Sequence, residues 1–168
     1  VLNREYPGKP VYLLGNEALR GEFSRYGVPM DGRPEVVVVG FDTTLTYEKL
    51  CRVCDLVRAG LPYLATHPDF NCPTETGFVP DVGAILAFIE ASTGRRPDRI
   101  IGKPHPDIVQ GLLERTGLPP EALCICGDRL YTDIRMAVDS GMVATLVLSG
   151  ETTLALSLIH ISQPTRPY

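Results

Sequence analysis

Short β-branched runs alternate along this chain with longer stretches whose apolar positions recur every third or fourth residue, as strands followed by helices do. Val11–Leu14 is the first apolar run. Asn16 can cap the helix that the pattern predicts over Asn16–Tyr26, and Gly27 can end it. Glu35–Val39 is continuous in Val, which predicts a strand covered on both faces. Thr46–Ala59 carries apolar residues at Tyr47, Leu50, Cys51, Cys54 and Val57, one face of a helix that Gly60 closes. Leu61–Thr66 is the next expected strand. The stretch His67–Pro80 holds three prolines among Asx, Thr and Gly residues and predicts a long ordered loop of the kind that carries function. Asp81 then caps a helix to about Ser92, with Gly94 beyond it. After a linker at Arg95–Asp98 come a short strand at Ile100–Gly102 and a helix over Asp107–Arg115 that Gly117 ends. A strand at Leu123–Cys126, a helix over Thr132–Asp139 and a strand at Val143–Leu148 follow. This alternation predicts an α/β chain with parallel strands and right-handed crossovers, divided near Arg95–Arg99.

Composition narrows the classes of function. The 168 residues suffice for one domain or two small ones. Sixteen Lys and Arg against twenty Asp and Glu leave a net charge of −4, which argues against a nucleic-acid partner. Hydrophobic residues at 44% and charged residues at 21% are ordinary for a globular chain. The longest apolar runs, such as Val36–Val39 and Ala144–Leu148, are too short to span a bilayer, so no membrane partner is expected. Five cysteines without a disulfide-like spacing, and no visible signal peptide, lead to an expectation of a reducing, cytoplasmic setting. The first residue is Val1, from which we expect that the chain begins inside a longer one.

Candidate chemistry concentrates in two segments. In Cys124-Ile-Cys126-Gly127-Asp128-Arg129-Leu130-Tyr131-Thr132-Asp133-Ile134, an apolar strand ends in Gly-Asp and a second Asp lies five residues on. Asp128 is placed at the carboxyl end of a strand, where open α/β sheets bind ligands. Two carboxylates there suit a hard cation such as Mg²⁺. On spacing alone, a turn residue and a first-turn helix acid account for them equally well. In Ile101-Gly102-Lys103-Pro104-His105-Pro106, a lysine after a strand is placed to reach a phosphate or to balance carboxylates. Its strand and the Gly-Asp strand are expected to be neighbours, opening both loops on one edge. Cys51, Cys54, His67 and Cys72 have zinc-like spacing, but the two helical cysteines fall in an apolar stripe and are expected in the core. Cys124 and Cys126 share a strand face and are also expected in the core.

Together these segments resemble the third and fourth motifs of the haloacid dehalogenase (HAD) superfamily. Asp42-Thr43-Thr44-Leu45-Thr46-Tyr47-Glu48-Lys49-Leu50, Ala65-Thr66-His67-Pro68-Asp69 and Pro80-Asp81-Val82-Gly83-Ala84-Ile85 are similar to subfamily IIA, the NagD-like and p-nitrophenyl phosphatase-like branch. The resemblance implies an α/β fold with a Rossmann-like HAD core (incomplete, its C-terminal part) and a large α/β C2-type cap. Residues 1–99 would be mostly cap, 100–154 the C-terminal part of the core, and 155–168 a non-native tail resembling adapter-derived sequence. It implies a Mg²⁺-dependent phosphomonoester hydrolase that works through an aspartyl-phosphate on a sugar phosphate or other small phosphorylated metabolite. Lys103 would be the catalytic lysine that balances phosphate and nucleophile, Asp128 the Mg²⁺ ligand and Asp133 a supporting catalytic carboxylate. His67, Asp69 and Asn71 would contact substrate from the cap. The resemblance also allows a homodimer. The family's Asp-x-Asp nucleophile motif and its Thr/Ser phosphate motif are absent from these 168 residues, so we expect a fragment that is inactive alone. The alternative is a non-catalytic binding or scaffold module of the same fold.

Overall fold

In the computed structural model, which describes residues 1–155 and 157, the Val36–Val39 run lies inside a parallel sheet and is buried at every position. The first elements are α1 (Leu2–Glu5), β1 (Val11–Leu14), α2 (Glu17–Arg25), β2 (Val36–Val39), α3 (Tyr47–Arg58) and β3 (Tyr63–Ala65). A hairpin of β4 (Asn71–Thr74) and β5 (Gly77–Pro80) follows, then α4 (Val82–Thr93) and β6 (Arg99–Ile100). The sheet order is β1-β2-β3-β6, all parallel, with Val11 opposite Val36, Val37 opposite Tyr63 and Leu64 opposite Arg99. Alternate residues feed two cores. Leu14, Val37, Val39, Tyr63 and Ala65 pack with Val53, Val57, Ile85 and Ile89 of α3 and α4. Val11, Leu13, Val36, Val38 and Leu64 face Leu2, Leu19 and Phe23 of α1 and α2. Each such Val or Leu removed from water contributes about 1.5–3 kcal/mol. Asn16, Thr46 and Asp81 cap α2, α3 and α4 through their side chains.

The chain forms two compact units, Val1–Gly102 and the residues from Lys103 on. The first runs a little beyond residue 99 because Arg99–Ile100 closes its sheet against β3. The second holds α5 (Pro106–Thr116), a 3₁₀ turn at Pro120–Ala122, β7 (Cys124–Gly127), a π-helical segment at Leu130–Ile134, α6 (Arg135–Asp139) and β8 (Val143–Leu146). β7 and β8 pair in parallel, and Val109, Met136, Ala137 and Met142 form the core beside them.

Several expectations change. His67–Pro80 is not all loop, because it contains the β4–β5 hairpin. Both strands of a two-stranded ribbon are edges, so Pro73, opposite Phe78, can lack a donor without breaking a ladder on its outer side. On α3, Tyr47 and Cys51 are exposed, and the buried face is Val53, Cys54, Leu56 and Val57. Cys124 and Cys126 do share a face, with their sulfurs 3.9 Å apart, but that face is exposed rather than core. β6 pairs with β3, whereas β7 pairs with β8, so the strand before Lys103 is not the sheet neighbour of the Gly-Asp strand. The expected non-native tail, residues 155–168, lies outside the described residues apart from Ala155 and Ser157.

Candidate functional site

In the second unit the site is built at the carboxyl end of β7. Gly127 ends the strand, and a Cβ there would lie 2.2 Å from the Cβ of Asp133, so Asp133 packs directly on the bare backbone of Gly127. The chain returns to that point because the π-helical segment begins immediately after Arg129, whose carbonyl accepts from Asp133 N at 3.1 Å. Such wide turns recur at functional positions. The Asp133 side chain is buried, and Lys103 Nζ donates to its Oδ1 at 2.6 Å from a half-exposed side chain. The buried Thr132 Oγ1 beside it makes no hydrogen bond among the described residues. Asp128, the first residue past the strand, accepts from Glu151 N at 2.8 Å through Oδ2. That backbone N–H is the main reason the Asp128 carboxyl is held below its ordinary value; it outweighs the opposing effect of burial, helped by the Asp128 backbone N–H and then by the positive charges of Arg129 and Lys103. Asp128 is therefore a carboxylate at neutral pH. His105 is engaged at the start of α5, with Nδ1 2.8 Å from Asp107 Oδ2.

The first unit gathers a different group. Beyond β3, Thr66 Oγ1 is 2.9 Å from His67 Nδ1, and His67 Nε2 donates to Asp81 Oδ1 at 2.8 Å. The ligand atoms of His67, Asp69 and Asp81 lie within 4.8 Å of one another, a set that could hold a cation. Two glycines let the backbone close around them. A Cβ on Gly83 would be 2.3 Å from Pro68 O, and one on Gly102 would be 2.3 Å from Thr66 O. Asn71 sits on the exposed strand β4 and is not part of that group. Cys51, Cys54 and Cys72 do not assemble with His67, since the only metal-suited cluster among the described residues is the His67–Asp69–Asp81 set.

The Asp42–Lys49 motif is a staple. Asp42 Oδ1 accepts from Thr44 N at 2.8 Å and Thr44 Oγ1 at 2.7 Å, and its Oδ2 accepts from Lys49 Nζ at 2.8 Å. Burial of Asp42 would raise its carboxyl, but Lys49 and Thr44 outweigh burial and hold it below the ordinary value.

The structure thus brings Lys103 and Asp133 together, with Asp128 at the same strand end, and joins His67 and Asp69. Sequence reasoning saw Asp81 as a helix cap within a family-like motif, gave it no role in a site, and did not single out Glu151. The helix cap was visible in Asp81, but nothing local shows which side chain it meets across the hairpin. Glu151 lies in a Ser-Gly-Glu-Thr run indistinguishable from an ordinary turn.

Comparison with known proteins finds relatives of the same fold. A family model described as HAD-hydrolase-like matches residues 100–166. The acid sugar phosphatase of Staphylococcus aureus (strain MRSA252) is 37% identical over 155 residues, covering 91% of this chain and 60% of that protein. The crystal structure of 4-nitrophenylphosphatase from Thermotoga maritima is 48% identical, with a TM-score of 0.87, covering 92% of this chain and 59% of that one. The glycerol phosphate phosphatase of Mycobacterium tuberculosis, solved in complex with magnesium, is 32% identical with a TM-score of 0.80, covering 89% of this chain and 46% of that one. The chain therefore spans about 60% of the length of the curated relatives it matches. The fold, the Gly-Asp and Gly-Lys segments and these likenesses thus point one way: residues 100–166 form a HAD-hydrolase-like stretch, and about nine-tenths of the chain is similar to NagD and the p-nitrophenyl phosphatases.

Proposed function

We propose that this chain serves in a cytoplasmic, Mg²⁺-dependent phosphomonoester hydrolase acting on a sugar phosphate or other small phosphorylated metabolite through an aspartyl-phosphate. The observation that carries the reading is the Lys103–Asp133 pair, at 2.6 Å, in the same unit as the ionised Asp128 at the end of β7. Residues 1–99 act mostly as the cap that selects substrate, with His67, Asp69 and Asn71 as its substrate-contacting residues. Residues 100–154 form part of the core. The names of the relatives support a phosphatase, and the five unpaired thiols support a reducing compartment. Among the described residues, no helix is long and apolar enough to cross a membrane.

The residues fit a hard cation. Asp128 offers an ionised carboxylate oxygen, the donor type a hard cation takes. Bound Mg²⁺ would offset the charge of the phosphate dianion. Lys103 supplies the second positive charge against that phosphate. Asp133, buried and paired, fixes where the Lys103 ammonium sits. The attacking carboxylate belongs to the family's Asp-x-Asp motif, which these residues do not contain.

The test joins this chain behind an Asp-x-Asp-bearing core segment of the Thermotoga maritima relative and follows p-nitrophenol release. A folded chimera should turn over with Mg²⁺ and lose that activity on Lys103→Met. A folded chimera that is inactive with Mg²⁺, or indifferent to Lys103→Met, would overturn the reading.

A further inference from the structure

The Asp128 carboxylate is seated against the loop that follows β8. Glu151 N donates to Asp128 Oδ2 at 2.8 Å, and Thr152 N donates to the Asp128 main-chain oxygen at 3.1 Å. Gly150 makes that seat possible. A Cβ at Gly150 would lie 2.0 Å from Asp128 Oδ2 and 2.6 Å from its Cγ, which no side chain can tolerate without moving the carboxylate. The same loop is tied down from its outer side. Glu151 Oε2 lies 2.6 Å from Arg129 Nε, and Glu151 Oε1 accepts from the Tyr131 hydroxyl. Arg129 and Tyr131 both belong to the stretch that leaves Asp128 toward Asp133, so one glutamate clamps the two loops together.

We propose that Gly150 and Glu151 are positioning residues for Asp128, fixing the orientation in which its carboxylate meets a divalent cation. The inference rests on the reading of Asp128 as the cation ligand. The physical reason is pre-organisation. A carboxylate on a mobile turn loses rotamer freedom when it binds metal, whereas one already held by an N–H and a close backbone has less to lose. The Arg129 partner also neutralises Glu151, which leaves Asp128 as the carboxylate that draws the cation.

Mn²⁺ is the probe, titrated into the full ¹⁵N-labelled chain while broadening of the amide signals around Gly127–Arg129 is followed by NMR. Glu151→Ala removes both side-chain ties from an exposed position and keeps every backbone N–H. Gly150→Ala drives a Cβ into the carboxylate. The Mn²⁺ concentration for half-broadening should rise about tenfold or more in each, the range seen when groups supporting a metal ligand are removed. For Glu151→Ala the melting temperature in EDTA should stay within about 2 °C of the parent, since no core contact is lost. Glu151→Gln, whose amide oxygen can accept from Arg129 while its NH2 donates to the Tyr131 hydroxyl oxygen, should restore binding to within about threefold. Parent-like Mn²⁺ response in both Gly150→Ala and Glu151→Ala, with Asp128→Asn abolishing it, would overturn the positioning role alone. An unchanged response in Asp128→Asn would overturn Asp128 as the ligand, and the positioning role with it.

Discussion

Tyr63 is fully buried, and its hydroxyl has no hydrogen-bond partner among the described residues. Burial pushes its phenol well above the ordinary value, so it stays neutral at any working pH. A polar atom desolvated without compensation is a cost, so Tyr63→Phe should leave stability unchanged or raise it by about 1 kcal/mol in urea unfolding. A loss of more than that would mean the hydroxyl has a partner such as a buried water. Asp42 points the opposite way. Its side chain is fully buried and satisfied by Thr44 and Lys49. Lys49→Met strands that charge and should cost about 2 kcal/mol. The pH dependence follows in sign. Because the folded carboxyl is held below its unfolded value, the stabilisation is complete above the unfolded value of about 3.9 and fades as pH falls through the folded one. Between about pH 5 and pH 3 the parent's urea midpoint should therefore fall further than that of Asp42→Asn. Equal slopes would remove Asp42 from the acid response.

Among the elements, those with strong local signals were legible. The all-Val run of β2, the Asn16 and Asp81 caps and the positive φ of Gly94 after α4 and of Gly117 after α5 each have one local cause. The hairpin was not legible, because Asn-Cys-Pro-Thr and Gly-Phe-Val-Pro alternate no apolar with polar positions and β5 is exposed throughout. The inward face of α3 was misjudged for a related reason. Tyr47 and Cys51 match the helical period, but the sheet is met by the neighbouring row through Val53 and Leu56. In the candidate site, Lys103, Asp128 and Asp133 were legible as motifs, whereas their geometry depends on where the π-helical segment turns, for which the chain carries no local mark. Gly127 is the element's hinge point, since Asp133 fills the space a side chain would need. Gly127→Ala should displace Asp133 from Lys103 and cost about 1–3 kcal/mol, with the loss of the Lys103–Asp133 contact read from a crystal structure or from the Lys103 ammonium signal in NMR. An undisturbed contact would show that the strand end yields instead.

For the whole molecule, the 168 residues contain a lysine and two carboxylates suited to phosphate chemistry but no Asp-x-Asp. The purified chain alone should therefore release no p-nitrophenol above background with Mg²⁺. Turnover on the order of 1 s⁻¹ would require a nucleophile other than the family's. One further property follows from the sheet order β1-β2-β3-β6. Each strand pairs with the sheet strand that precedes it along the chain, and β8 likewise pairs with β7. Among the described residues, no strand must wait for a later segment before its earlier partner can be joined. The chain can consequently assemble in the order in which a ribosome releases it, each new strand finding a finished edge and covering it before the next appears. Arrested nascent chains should show protection of the Val36–Val39 amides as soon as Val11–Leu14 and Val36–Val39 have both emerged, well before Arg99 is made.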